Sequence, residues 1–84
     1  MSDQFESAAA AVKSLTERPS NDQLLQLYAL YKQGTAGDVS GSKPGFFDIA
    51  GRAKYEAWEK LKGTSADDAK AKYVELVRSL GGKV

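Results

Sequence analysis

Residues 20–34 read Ser-Asn-Asp-Gln-Leu-Leu-Gln-Leu-Tyr-Ala-Leu-Tyr-Lys-Gln-Gly. Ser20 or Asn21 is a good N-cap, and Gln23, three residues after Ser20, completes a capping box. Leu24, Leu25, Leu27, Tyr28, Leu30 and Tyr31 then form an apolar arc wider than one stripe. A helix so patterned is packed between neighbours or lines a cavity. Gly34 is the expected C-cap.

The flanking segments supply candidate neighbours. Upstream, residues 3–16 carry Phe5, Ala8, Ala9, Val12 and Leu15 at helical spacing. Asp3 with Glu6 reads as their capping box, and Pro19 as the stop. Downstream, residues 34–48 show no period and contain Gly34, Gly37, Gly41, Gly45, Pro44, Ser40 and Ser42. Loops this long are often functional, and here the loop must wrap the body. A third helix opens near Asp48 or Gly51 and closes at Gly63. Tyr55, Trp58 and Leu61 form its apolar side, with Glu56 and Lys60 as an i,i+4 ion pair. A fourth opens at Thr64 or Ser65, with Asp67 and Asp68 in its first turn, where the helix dipole favours anions. Ala69, Tyr73, Leu76 and Leu80 mark its inner stripe, and Gly81-Gly82 ends it. No strand alternation and no repeat is visible. The expectation is one all-α domain of four helices over residues 1–84, with one long loop between the second and third.

Composition narrows the chemistry. The 84 residues contain no cysteine and no histidine. That excludes a disulfide framework, a thiolate metal site and a cysteine nucleophile, and removes the commonest general base and metal ligand. Twelve basic and eleven acidic residues leave a net charge of +1. Residues 1–31 carry two basic and four acidic groups, residues 32–54 four and two, and residues 55–84 six and five. The positive bias around the loop and third helix is too small for a nucleic-acid footprint but suits a single nucleotide. Apolar runs such as residues 8–12 fall far short of the ~20 residues of a membrane span. The start has no basic region followed by an apolar stretch, so the expected address is cytoplasmic.

The polar residues beside the apolar stripes form the candidate site. Tyr28 and Lys32 are i,i+4 on one face, with Tyr31 adjacent. Lys54 stands four before Trp58, on the border of the buried side of its helix. Tyr73 lies inside an apolar stripe, and Lys13 follows Val12 near the end of the first helix. If these elements converge, they offer cations, phenol hydroxyls and aromatic faces together. Such a set suits phosphates and a flat ring. Taken singly, each has a plainer reading: tyrosines rimming a core, a core tryptophan, lysines snorkelling over apolar groups. No pair of acids, no hydroxyl with a base and no metal-ligand cluster stands out. The chain reads as a binding protein rather than an enzyme.

Two longer motifs carry a family resemblance. Residues 28–38, Tyr-Ala-Leu-Tyr-Lys-Gln-Gly-Thr-Ala-Gly-Asp, resemble the Tyr-x-x-Tyr-Lys-Gln-x-Thr-x-Gly-Asp motif of acyl-CoA-binding proteins. Residues 44–58, Pro-Gly-Phe-Phe-Asp-Ile-Ala-Gly-Arg-Ala-Lys-Tyr-Glu-Ala-Trp, look like their Pro-Gly-x-x-Asp-x-x-Gly-Lys/Arg-Ala-Lys-Trp-x-Ala-Trp. The similarity extends forward to Phe5 and back through Tyr73-Val74. The resemblance implies a four-helix up-down-down-up bundle. It also implies a non-catalytic carrier and pool former for medium- and long-chain acyl-CoA, with no cofactor. Carried over, Lys32 and Lys54 hold the ribose 3′-phosphate, and Tyr28 and Tyr31 line the nucleotide site. Tyr73 contacts the adenine, and Lys13 approaches the phosphates or the base. Ala9 and Leu25 line part of the acyl groove.

The sequence departs from the pattern in places. Tyr55 stands where tryptophan is common, Ala50 where many members have lysine, and the tail lacks a lysine-rich finish. The length and the initial methionine fit a stand-alone member. The expected partners are the acyl-CoA ligand and, transiently, acyl-CoA-using enzymes or membranes, with the protein a monomer. The competing expectation is a helical protein-interaction module that kept the fold without the ligand.

Overall fold

A computed structural model describes residues 2–84, with side chains from residue 4 onward. Four helices make up the chain: α1 (Ser2–Ala11), α2 (Asn21–Thr35), α3 (Ile49–Glu59) and α4 (Ala66–Ser79). No strand occurs among the described residues. The expected cap at Asp3 lies outside the described side chains. The first helix is shorter than its pattern suggests: Val12–Ser14 tighten into a 3-10 turn, and Leu15 is already extended.

The caps follow from sequence chemistry. At Ser20 the capping box is complete: its Oγ accepts from the Gln23 N–H (3.1 Å), and Gln23 Oε1 accepts from the Ser20 N–H (2.9 Å). The Asp48 carboxylate accepts from the Gly51 N–H (3.0 Å) to start α3. Ser65 accepts from the Asp68 N–H (3.1 Å) to start α4. At the end of α2 the expectation is corrected. Gly34 is not the cap but a buried residue within the helix. A Cβ there would come 2.9 Å from Lys70 Cγ, so Gly34 permits the close approach of α4. The residue that turns the chain is Gly37, at φ +87°, with its N–H bonded to the Lys32 carbonyl.

The helices lie side by side in the order α1, α4, α2, α3, a bundle with Cα extents of 37 × 27 × 15 Å. α2 packs on both α4 and α3, which is why its apolar arc is wide. Phe5, Ala8, Leu27, Leu30, Ala69, Tyr73, Val74 and Val77 form the buried core between α1, α2 and α4. Truncating a residue such as Leu27 in a core of this kind costs about 2–5 kcal/mol.

The long loop is laced to the body. Gln33, only 1% exposed, donates to the Asp38 carboxylate (2.8 Å) and to the Thr64 carbonyl (2.7 Å). Asp38 also accepts from the Gly63 N–H (2.9 Å). The Trp58 indole N–H donates to the Gly37 carbonyl (2.8 Å), and the Tyr55 hydroxyl donates to that of Gly41 (3.2 Å). Glu56 pairs not with Lys60, as its spacing suggests, but with Lys43 of the loop (2.9 Å) and Arg52 (3.8 Å). The wrapped loop brings Lys43 within reach, and that contact holds the Glu56 carboxyl below its usual range.

Candidate ligand-binding site

One broad face of the helix layer gathers most of the candidate residues. On α2, Leu25, Tyr28 and Lys32 follow at i, i+3 and i+7 and share this face, with Tyr31 beside them. Each of two lysines reaches across the α2–α3 seam to a ring on the other helix. Lys54 Nζ lies 5.5 Å from the Tyr28 ring centre, and Lys32 Nζ lies 5.2 Å from that of Trp58. Neither ammonium has a carboxylate partner among the described residues; the ion pairs there are Lys43–Glu56 and Arg52–Glu56. Two unneutralised cations held over aromatic faces form an anion-binding arrangement.

Next to them the rings of Phe5, Tyr31 and Tyr73 form a three-membered cluster. Phe5 stacks on Tyr31 at 5.4 Å and meets Tyr73 edge-on at 5.1 Å; Tyr31 and Tyr73 stand 6.0 Å apart. Tyr73 is buried, and that burial raises its phenol pKa, with the neighbouring Tyr31 adding to the shift. Tyr31 is 42% exposed, so its outer ring face is open to a flat partner. Among the described residues the Tyr55 hydroxyl bonds to the protein, whereas those of Tyr28, Tyr31 and Tyr73 make no internal hydrogen bond. They are available to a ligand.

The remaining candidates are placed differently. Ala9 lies one turn beyond Phe5 on α1 and packs against the core. Leu25 is half-buried. It lines a groove of about 750 Å³ with Ala29, Leu30, Ala57, Leu61 and Leu76. Gln26, also in its lining, is two residues from Tyr28, and that spacing points to the opposite side of α2. Leu25 thus stands between the aromatic face and this groove. Lys13 is exposed on the 3-10 turn and makes no ion pair or ring contact among the described residues. Phe5 and Trp58, which helical spacing alone marks only as core, stand in contact with the candidate residues Tyr31, Tyr73 and Lys32. Lys70, over the Phe5 ring at 5.5 Å, was not singled out at all. Its position three residues before Tyr73 was the available signal.

The fold and this face define an all-α bundle that presents cations and aromatic rings to an anionic, ring-bearing molecule. The Acyl CoA binding protein family matches over residues 2–77, and the chain belongs to that family. It is 56% identical to Acyl-CoA-binding protein homolog 1 of Caenorhabditis elegans, over 94% of this chain and 92% of that protein. It is 57% identical to the Acyl-CoA-binding protein of Dictyostelium discoideum, over 94% of each. Among solved structures, Oryza sativa Acyl-CoA-Binding Protein 2 superposes with a TM-score of 0.89 at 39% identity, over 94% of this chain and 88% of that one.

Proposed function

We propose that this chain binds medium- and long-chain fatty acyl-CoA thioesters as a soluble carrier and does no chemistry on them. The observation that carries this reading is the pair Lys32 and Lys54, free of carboxylates and crossed over the rings of Trp58 and Tyr28. Both lysines hold the ribose 3′-phosphate. Tyr28 and Tyr31 line the nucleotide site, the Tyr31–Tyr73 cluster receives the adenine, and Lys13 closes on phosphate when ligand is bound. The acyl chain starts along Leu25 and Ala9. Residues 1–84 act as one domain, a monomer with a cytoplasmic address, meeting acyl-CoA-using enzymes only transiently. With no histidine or cysteine, the chain lacks the commonest general base and the thiol nucleophile.

The two ends of the ligand contribute differently. A charge-assisted hydrogen bond is worth about 1.5–3 kcal/mol. Each buried methylene adds about 0.8 kcal/mol, so eight further carbons add up to about 6 kcal/mol. Palmitoyl-CoA therefore binds far more tightly than free CoA, and palmitate binds weakly because it lacks the anchor. Isothermal titration with octanoyl-CoA, palmitoyl-CoA, CoA and palmitate tests this. One-to-one binding in the order palmitoyl-CoA, octanoyl-CoA, CoA is the expected result. Equal affinity for palmitate and palmitoyl-CoA would overturn it.

A further inference from the structure

The turn at residues 45–48 is closed by a hydrogen bond from the Asp48 N–H to the Gly45 carbonyl (3.0 Å). Its two central residues are Phe46 and Phe47. These residues are 79% and 92% exposed, their rings edge to face with centres 5.5 Å apart. Ile49, the first residue of α3, is 78% exposed. Three large apolar side chains within four positions form a protruding patch of the kind that marks an interaction surface.

The patch is braced. Asp48 caps α3, Arg52 reaches the Pro44 carbonyl (3.5 Å), and Lys43 pairs with Glu56. Residues 43–56 carry three cations, Lys43, Arg52 and Lys54, against two acids, Asp48, which caps α3, and Glu56, a net charge of +1. Glu56 pairs with the first two cations, and Lys54 has no carboxylate partner among the described residues. The exposed rings are thus carried on a segment with a net charge of +1. That combination matches the interfacial layer of a bilayer, which yields to a wedge and holds cations at headgroup depth.

We propose that this turn docks the protein on an anionic lipid bilayer, with Phe46, Phe47 and Ile49 entering the interface and Lys43, Arg52 and Lys54 remaining among the headgroups. Lys54 extends from the same helix over Tyr28, so the docked edge adjoins the ligand face. That docking serves exchange of acyl-CoA with the bilayer rests on the function proposed above; the docking itself does not.

The test is flotation of the ligand-free chain with vesicles of phosphatidylcholine containing about one-third phosphatidylserine, and with pure phosphatidylcholine. Wild type is expected to partition onto the anionic vesicles and less onto the neutral ones. The double variant Phe46→Ser, Phe47→Ser is expected to lose about tenfold or more of that partitioning. Its thermal midpoint and its affinity for palmitoyl-CoA in solution stay as in wild type. Equal partitioning of the two proteins, or none by wild type, would overturn the proposal. So would self-association of wild type without lipid that the double variant loses, since a second copy would then occupy the patch. Failure of acyl-CoA binding with docking intact would overturn the function and leave the wedge standing.

Discussion

Lys32 and Lys54 exchange rings across the α2–α3 seam, and each cation is held without a counter-charge among the described residues. An incoming phosphate therefore meets ammonium groups that need not first leave a carboxylate. Lys54 is exposed, and its removal uncovers no buried group. The Lys54→Ala variant is expected to lose about 10- to 100-fold in acyl-CoA affinity, the equivalent of one charge-assisted bond. Its urea midpoint should stay near that of wild type. Titration and denaturation of the same preparation check both halves, and wild-type affinity would remove Lys54 from the site. The sequence made this pair legible as i,i+4 neighbours of Tyr28 and Trp58, because spacing along one helix is readable. It did not reveal that Lys54 faces Tyr28 rather than the tryptophan on its own helix. Nor did it show Phe5 beneath Tyr31, because contacts between helices depend on crossing geometry that no single helix encodes.

The loop between α2 and α3 is the element whose behaviour was least legible. Its glycines and serines suggested a wrap, but not the contacts that make it one. Asp38 is the centre of those contacts, accepting from Gln33 and from the Gly63 N–H. These bonds, the Gly63 N–H first, then Gln33, and with Lys62 assisting, hold its carboxyl below the ordinary value. A carboxyl with a lowered folded pKa stabilises the fold above the unfolded value of about 3.9. That contribution fades as the pH falls through the folded pKa. Asp38→Ala should therefore be less stable than wild type at neutral pH, and the difference should close as the solution is taken from about pH 4 downward. Urea unfolding of both proteins at neutral and acid pH reads this directly. A gap that persists unchanged in acid would mean that Asp38 acts through shape and not charge. By contrast, the starts of α2, α3 and α4 were readable, because an N-cap is a local hydrogen bond between residues three apart. Gly34 misled for the opposite reason: its role is set by Lys70, far away in the chain.

At the scale of the molecule, the order α1, α4, α2, α3 gives the helices unequal support. α2 and α4 each have two neighbours, whereas α1 packs on α4 and reaches α2 through Phe5 and Tyr31. The sequence identified four helices and the wide arc of the central one. The up-down-down-up direction entered only through the family resemblance, and the neighbour order was not legible, because it depends on side chains brought together by the long connection. The proposed ligand would lie across three of these joints: α3 to α2 at Lys54 and Lys32, α2 to α4 at Tyr31 and Tyr73, and α1 at Ala9. Binding only to the folded state stabilises it by about 2.7 kcal/mol when free ligand is a hundredfold above Kd. For a chain of this size each kcal/mol corresponds to roughly 4–8 °C in Tm. The gain should not be uniform. The two outer helices, α1 and α3, have one main neighbour each and open most readily, and a molecule bridging α1 to α2 closes the first of these openings. Amide exchange with saturating palmitoyl-CoA is therefore expected to slow most in the outer helices α1 and α3, and less in α4, which is already held on both sides. Free CoA, which by this reading engages Lys54 and Lys32, the Tyr31–Tyr73 cluster and Lys13, should protect α3 and also α1, but α1 less than palmitoyl-CoA does. Equal protection of α1 by CoA and by palmitoyl-CoA would show that the acyl chain does not reach Ala9, and would move the acyl groove to the Leu25 side of the layer.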